Sequence, residues 1–141
     1  HINNVAIYEL RKGAPDGPTV AQATKVTFCM IDLYHQYPEM PSSPPDGSYF
    51  GCNDQYQGLS VGFSDIYSAG LPDQWIVVND LPRGIYYLVS TVDPTHQFIE
   101  RDDYGEGAHA NNPAWVKNRL DPVGLTVQVL DSGLGDPTLR R

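Results

Sequence analysis

Apolar and polar residues alternate along most of this chain. From 2 to 11 (INNVAIYELR) the apolar positions gather around Val5, Ile7 and the Tyr8-Glu9-Leu10 end, which predicts a strand. Pro15-Asp16-Gly17 then marks a turn. Residues 20–31 (VAQATKVTFCMI) alternate through Val20, Ala23, Val26, Phe28 and Met30 and predict a second strand. A period of two puts Lys25 and Cys29 on the face opposite Val26 and Phe28.

The pattern lapses over residues 34–57, where Pro38, Pro41, Pro44 and Pro45 interrupt a long irregular loop of the kind that tends to be functional or interfacial. It returns in Leu59–Tyr67, with Leu59, Val61, Phe63, Asp65 and Tyr67 on one face. Gln74–Asn79 and Ile85–Val92 read as a hairpin joined through Leu81-Pro82-Arg83-Gly84. Asp93-Pro94 closes that strand, Gln97–Glu100 is a short edge piece, and Ala114–Leu120 and Leu125–Leu130 are the last strands. No stretch keeps a helical period over three turns, and there are no internal repeats. The expected fold is all-β: a single-domain β-sandwich of about seven to eight mostly antiparallel strands over residues 1–131, with one long irregular loop and a C-terminal tail, 132–141.

Composition agrees with short strands and tight turns: 13 Gly and 12 Pro. A net charge of −8 argues against a nucleic-acid partner, which needs a basic stripe. No apolar run approaches the roughly 20 residues of a membrane span. The chain opens at His1 without an initiator Met, as a processed, exported product does, or as a chain does whose upstream part has been left off. Cys29 and Cys52 fit one disulfide and an oxidising compartment, with two buried thiols as the alternative. Such a bridge closes the long loop and contributes roughly 3 kcal/mol on the loop-entropy account. Glu100, Asp102, Asp103 and Glu106 crowd together beside Gly105 and Gly107. Packed carboxylates repel unless a cation sits among them, so calcium is expected there, and a solvated acidic loop is the alternative.

The order of several motifs resembles the lysyl oxidase family in its shorter microbial form, over roughly residues 1–130. Phe28-Cys29 precedes the long loop. QGLSVGFSDIY and DQWIVVNDLPRGIYYL follow, then Val92-Asp93-Pro94, Glu100-Arg101-Asp102 and Asn111-Asn112. The resemblance implies a secreted copper amine oxidase that turns the ε-amine of lysine into an aldehyde through a quinone made from one Lys and one Tyr of its own chain. These two residues fall on Lys25 and Tyr67. It also implies that the acidic segment takes calcium with the Asn-Asn that follows, here displaced by the insertion GEGAHA. The family's His-x-His-x-His motif precedes a Tyr-x-Leu strand. Here that strand holds Tyr8-Glu9-Leu10, and His1 stands where the last of the three histidines belongs. Copper favours imidazole nitrogen. An amino-terminal His1 can offer its amine and imidazole together, with His96 or His109 as a further ligand. His35, His96 and His109 otherwise read as surface histidines.

Two functions compete. The first is an extracellular or cell-surface structural module of this fold, calcium-stabilised and self-associating into a homo-oligomer or polymer. The alternative is the enzyme, dependent on copper and a lysine tyrosylquinone and acting on protein lysine or simple amines. Its catalytic residues would be Lys25, Tyr67 and Asp65, the last as proton acceptor.

Overall fold

The computed structural model describes residues 2–23, 25–53, 55–98 and 112–135. Among them there is no helix, and every pairing is antiparallel. The chain forms two compact units, 1–3 with 27–72, and 4–26 with 73–141.

The larger unit is built on a five-stranded sheet in the order β2-β1-β5-β6-β7, from β1 (Ala6–Lys12), β2 (Thr19–Gln22), β5 (Gly84–Val92), β6 (Pro113–Asp121) and β7 (Thr126–Leu134). Its register sets Leu10 opposite Leu88 and Leu88 opposite Val116, so apolar side chains line up across the strands. Leu10, Tyr86 and Leu120 form the buried centre, and Ile76, Val78 and Leu81 pack against it. The Tyr86 ring is fully buried, and its hydroxyl donates to the Pro82 carbonyl at 2.6 Å. That bond satisfies a hydroxyl the core would otherwise strand.

The apolar alternation therefore locates β1, β5 and β6 correctly. The expected strand Gln74–Asn79 is not one: it is an irregular segment from which Ile76 and Val78 pack on the core while Trp75 and Val77 face outward, and the expected hairpin is replaced by a turn in which the Leu81 N–H reaches the Val78 carbonyl at 3.0 Å. The expected strand over 20–31 stops at Gln22. Lys25 and Cys29 thus share no strand face, and beyond Gln22 the described residues keep a bridge between Ile2 and Phe28 and single hydrogen bonds from the Ala23 N–H to the Tyr8 carbonyl and from the Val5 N–H to the Val26 carbonyl, each 3.0 Å. The last strand runs past Leu130 to Leu134.

Asp93 ends β5 with a positive φ of 43° and a side chain only 1% exposed. Its two carboxylate oxygens accept from the Gln97 and Phe98 N–H groups at 2.8 and 3.0 Å. A buried carboxylate is tolerable when its lone pairs are met in this way. The expected edge piece at Gln97–Glu100 is no strand over its described residues, Gln97 and Phe98.

Among its described residues the smaller unit holds a short ladder, β3 (Tyr34–His35) with β4 (Phe63–Ser64), and the Ile2–Phe28 bridge. The expected strand Leu59–Tyr67 shrinks to β4, and its partner lies inside the stretch read as loop. Residues 27–72 contain Asp32, Glu39, Asp46, Asp54 and Asp65 but no Lys or Arg; every cationic Lys and Arg belongs to the larger unit.

Candidate functional site

With so little ladder, the backbone of the smaller unit must find other partners. Turn and loop bonds between backbone groups supply some of them, and side chains supply others. Cys29 and Cys52 form a disulfide with Cα atoms 5.3 Å apart, as the paired-cysteine reading expected, and it ties the 28–31 segment to the far end of the loop. The Gln57 carboxamide accepts from the Met30 N–H at 3.3 Å and donates to the Cys52 carbonyl at 2.9 Å. An Asp65 oxygen accepts from the Ile31 N–H at 3.4 Å.

Asp32 is the chief staple. It accepts from the N–H groups of Ser48, Tyr49 and Ser60 at 2.7, 3.2 and 2.8 Å, and from the Ser60 hydroxyl at 2.7 Å. Burial alone would raise its pKa. The bonds from Ser60, Ser48 and Tyr49 outweigh that and hold the carboxyl below its usual range. Gly47 leaves room for the clamp, since a Cβ there would meet the Asp32 Cβ at 2.7 Å. The long loop is therefore pinned at its middle and its end. The sequence reading missed Asp32, Gln57 and Ser60. The available signal was an Asp entering a loop whose Asp-Gly-Ser turn exposes backbone N–H groups.

Tyr67 sits at the other end of the same segment. Its hydroxyl donates to the Cys29 carbonyl at 2.8 Å, and its ring meets Phe28 edge-on with centroids 4.7 Å apart. Phe28 and Cys29 are nearly fully buried, so this anchor is rigid. Asp65 lies within interaction range of Tyr67. Burial raises the Asp65 pKa above the ordinary carboxyl value, against hydrogen bonds that lower it. Burial, and then the Asp65 charge, raise the Tyr67 phenol. A carboxyl whose proton affinity is raised, beside a positioned phenol, is a candidate proton acceptor.

Tyr67 and Asp65 thus come together, as their shared strand face suggested, although only β4 among those residues is a strand. Lys25 is half-buried and belongs to the larger unit. His35 is committed elsewhere: its Nε2 lies 2.8 Å from the Ser43 hydroxyl, and its ring stacks on Phe63 at 4.1 Å. His1, His109 and the expected calcium ligands Glu100, Asp102, Asp103 and Glu106 lie outside the described residues. Among the described residues no three His, Cys, Asp or Glu side chains gather as a metal site, so they do not by themselves fit copper.

A family model for lysyl oxidase matches residues 1–119. The human lysyl oxidase homolog 1 is 32% identical over 89 residues, which is 63% of this chain and 14% of the relative. The human lysyl oxidase homolog 3 is 30% identical over 109 residues, 74% of this chain and 14% of the relative. The protein-lysine 6-oxidase of Gallus gallus is 34% identical over 85 residues, 59% of this chain and 18% of the relative. The chain spans less than a fifth of the length of these three relatives.

Proposed function

This chain belongs to the lysyl oxidase family, and from that premise we propose that it forms part of the catalytic domain of a secreted amine oxidase acting on the side-chain amine of protein lysine. One observation carries the reading: Tyr67 and Asp65 meet beside the buried Phe28-Cys29 pair. One relative is named a protein-lysine 6-oxidase, which supports the substrate class. The Cys29–Cys52 bridge supports an oxidising compartment.

A quinone made from Lys25 and Tyr67 would supply the electrophilic carbonyl on which the amine is oxidised. This chain's own residues prepare the position. The Cys29 carbonyl and the Phe28 ring fix the angle of Tyr67. The Asp65 carboxylate is the proton acceptor, and its raised pKa makes it a stronger base than an exposed Asp.

The test is mass spectrometry of a chymotryptic digest of copper-grown, secreted protein, with an amine oxidase assay alongside. A peptide joining Lys25 to Tyr67 is expected, lost together with activity in Tyr67→Phe. Asp65→Asn should keep the crosslink and lose at least tenfold in rate. Full activity with Lys25 and Tyr67 both unmodified overturns the reading.

The second reading is an extracellular assembly module stabilised by calcium at Glu100, Asp102, Asp103 and Glu106. The apolar edge of β7, which no other strand covers among the described residues, favours it.

A further inference from the structure

Among the described residues β7 pairs with β6 on one side, and no strand pairs with Thr126–Gly133 on the other. A bare strand edge offers a row of N–H and C=O groups to any second strand. Natural edges are usually blunted by Lys, Pro, a bulge or a short length. Here the edge runs nine residues, TVQVLDSGL, with no Lys, no Pro and one charge, Asp131. Val127 and Val129 are 65% and 64% exposed, and the turn before them shows Val123 and Leu125 almost bare. Register places Val127 opposite the buried Leu120 and Val129 opposite Asn118, so the sheet's apolar face runs out uncovered at its edge. A bulge at Leu130, where Lys117 pairs with Asp131 and Asn118 with Val129, leaves Thr126–Val129 as the regular part.

We propose that this edge pairs with the same edge of a second copy, antiparallel, about a two-fold axis through Gln128. A two-fold interface must be self-complementary. Val127-Gln128-Val129 reads the same in both directions. The axis sets Val127 against the second copy's Val129, and Gln128 against Gln128. Cross-strand β-branched pairs of this kind stabilise a sheet. The same axis places Asp131 across from Leu125 of the second copy, so the two Asp131 carboxylates stay six residues, roughly 20 Å, apart along the strand. Gln128 is already turned to the opposite face, where its Oε1 accepts from Arg119 at 2.9 Å. The result is a continuous ten-stranded sheet. A contact of one strand is small against the usual 1,200–2,000 Å² interface, so the dimer is concentration-dependent. Each copy carries −8, so screening salt should tighten it. The proposal gives the assembly reading its surface and its partner, and it is independent of amine oxidation, so each fails separately.

The test is sedimentation of the 141-residue chain over a wide concentration range at low and high salt. Expected is a monomer–dimer equilibrium that shifts toward dimer in salt and vanishes in Val129→Lys, whose thermal melt should match the parent's. In parallel, Gln128→Cys and Ser132→Cys are oxidised with diamide and run on a non-reducing gel. Paired residue 128 α-carbons fall within disulfide reach, whereas the two copies of residue 132 lie roughly 27 Å apart. Gln128→Cys should therefore trap a dimer and Ser132→Cys should not. A monomer at every concentration, a dimer that survives Val129→Lys, or trapping at 132 in preference to 128 overturns the proposal.

Discussion

At the scale of the residue, Asp32 decides most about the smaller unit. One carboxylate answers three backbone N–H groups and a hydroxyl across a loop that has almost no ladder of its own. Asp32→Ala leaves those donors to water, and because the site is partly exposed the cost is about 1–2 kcal/mol. The pH dependence follows from the lowered pKa. A carboxyl depressed in the folded state contributes stability above its unfolded pKa of about 3.9 and loses it as pH falls through the folded value. Acid titration should therefore loosen residues 48–60 below about pH 4 in the parent. In Asp32→Ala the same region should be loosened already at neutral pH, with no further step from this position. Amide hydrogen exchange at Ser48, Tyr49 and Ser60 reads both. None of this was legible in the alternation of apolar residues, because the deciding bonds are made by polar side chains to backbone over separations of 16 to 28 residues. Tyr67 and Asp65 were legible for a different reason. Two residues apart, they keep one side of an extended chain whether or not that chain has a strand partner.

At the scale of the element, β5 and β6 behaved as the sequence suggested: each is buried at spaced positions between two neighbours, so hydrophobic pattern and hydrogen-bond ladder coincide. Gln74–Asn79 has the same apolar content without the ladder. There Ile76 and Val78 are the ones that reach the core, so pattern alone reports which side chains turn inward and is silent on what the backbone pairs with. The β6–β7 pair also shows why one glycine is required. Gly133 lies opposite Trp115, and a Cβ there would stand 2.8 Å from the indole Cζ2. Gly133→Ala should push the ring off its seat beside Tyr87, whose centroid is 5.9 Å away, and cost about 1–3 kcal/mol. A fall in melting temperature with a changed tryptophan emission is the expected record. An unchanged melt would mean that the strand shifts freely enough to absorb a methyl group.

At the scale of the whole molecule, stability is divided unevenly. The larger unit rests on a five-stranded sheet, the smaller on a two-residue ladder, side-chain staples and one disulfide. Replacing both cysteines, Cys29→Ser with Cys52→Ser, should cost roughly 3 kcal/mol by the loop-closure account, and the loss should fall on residues 27–72 first. Hydrogen exchange should quicken at Asp32, Tyr37 and Gly58 while the amides of β5 and β6 hold. The all-β class was readable from Gly and Pro turns and short alternating runs. The partition into two units was not, because it depends on which segments share contacts across the chain rather than on any local signal.

The uneven placement of charge has a practical consequence. Trypsin cuts only after Lys and Arg, and between Lys25 and Arg83 the sequence has neither. Even from unfolded protein the enzyme must release Val26–Arg83 in one piece, carrying both cysteines, Asp32, Asp65 and Tyr67. A Lys25 joined to Tyr67 is no longer a cleavage site, so that fragment would begin instead at Gly13. The state of the lysine can thus be read from where a single tryptic fragment starts.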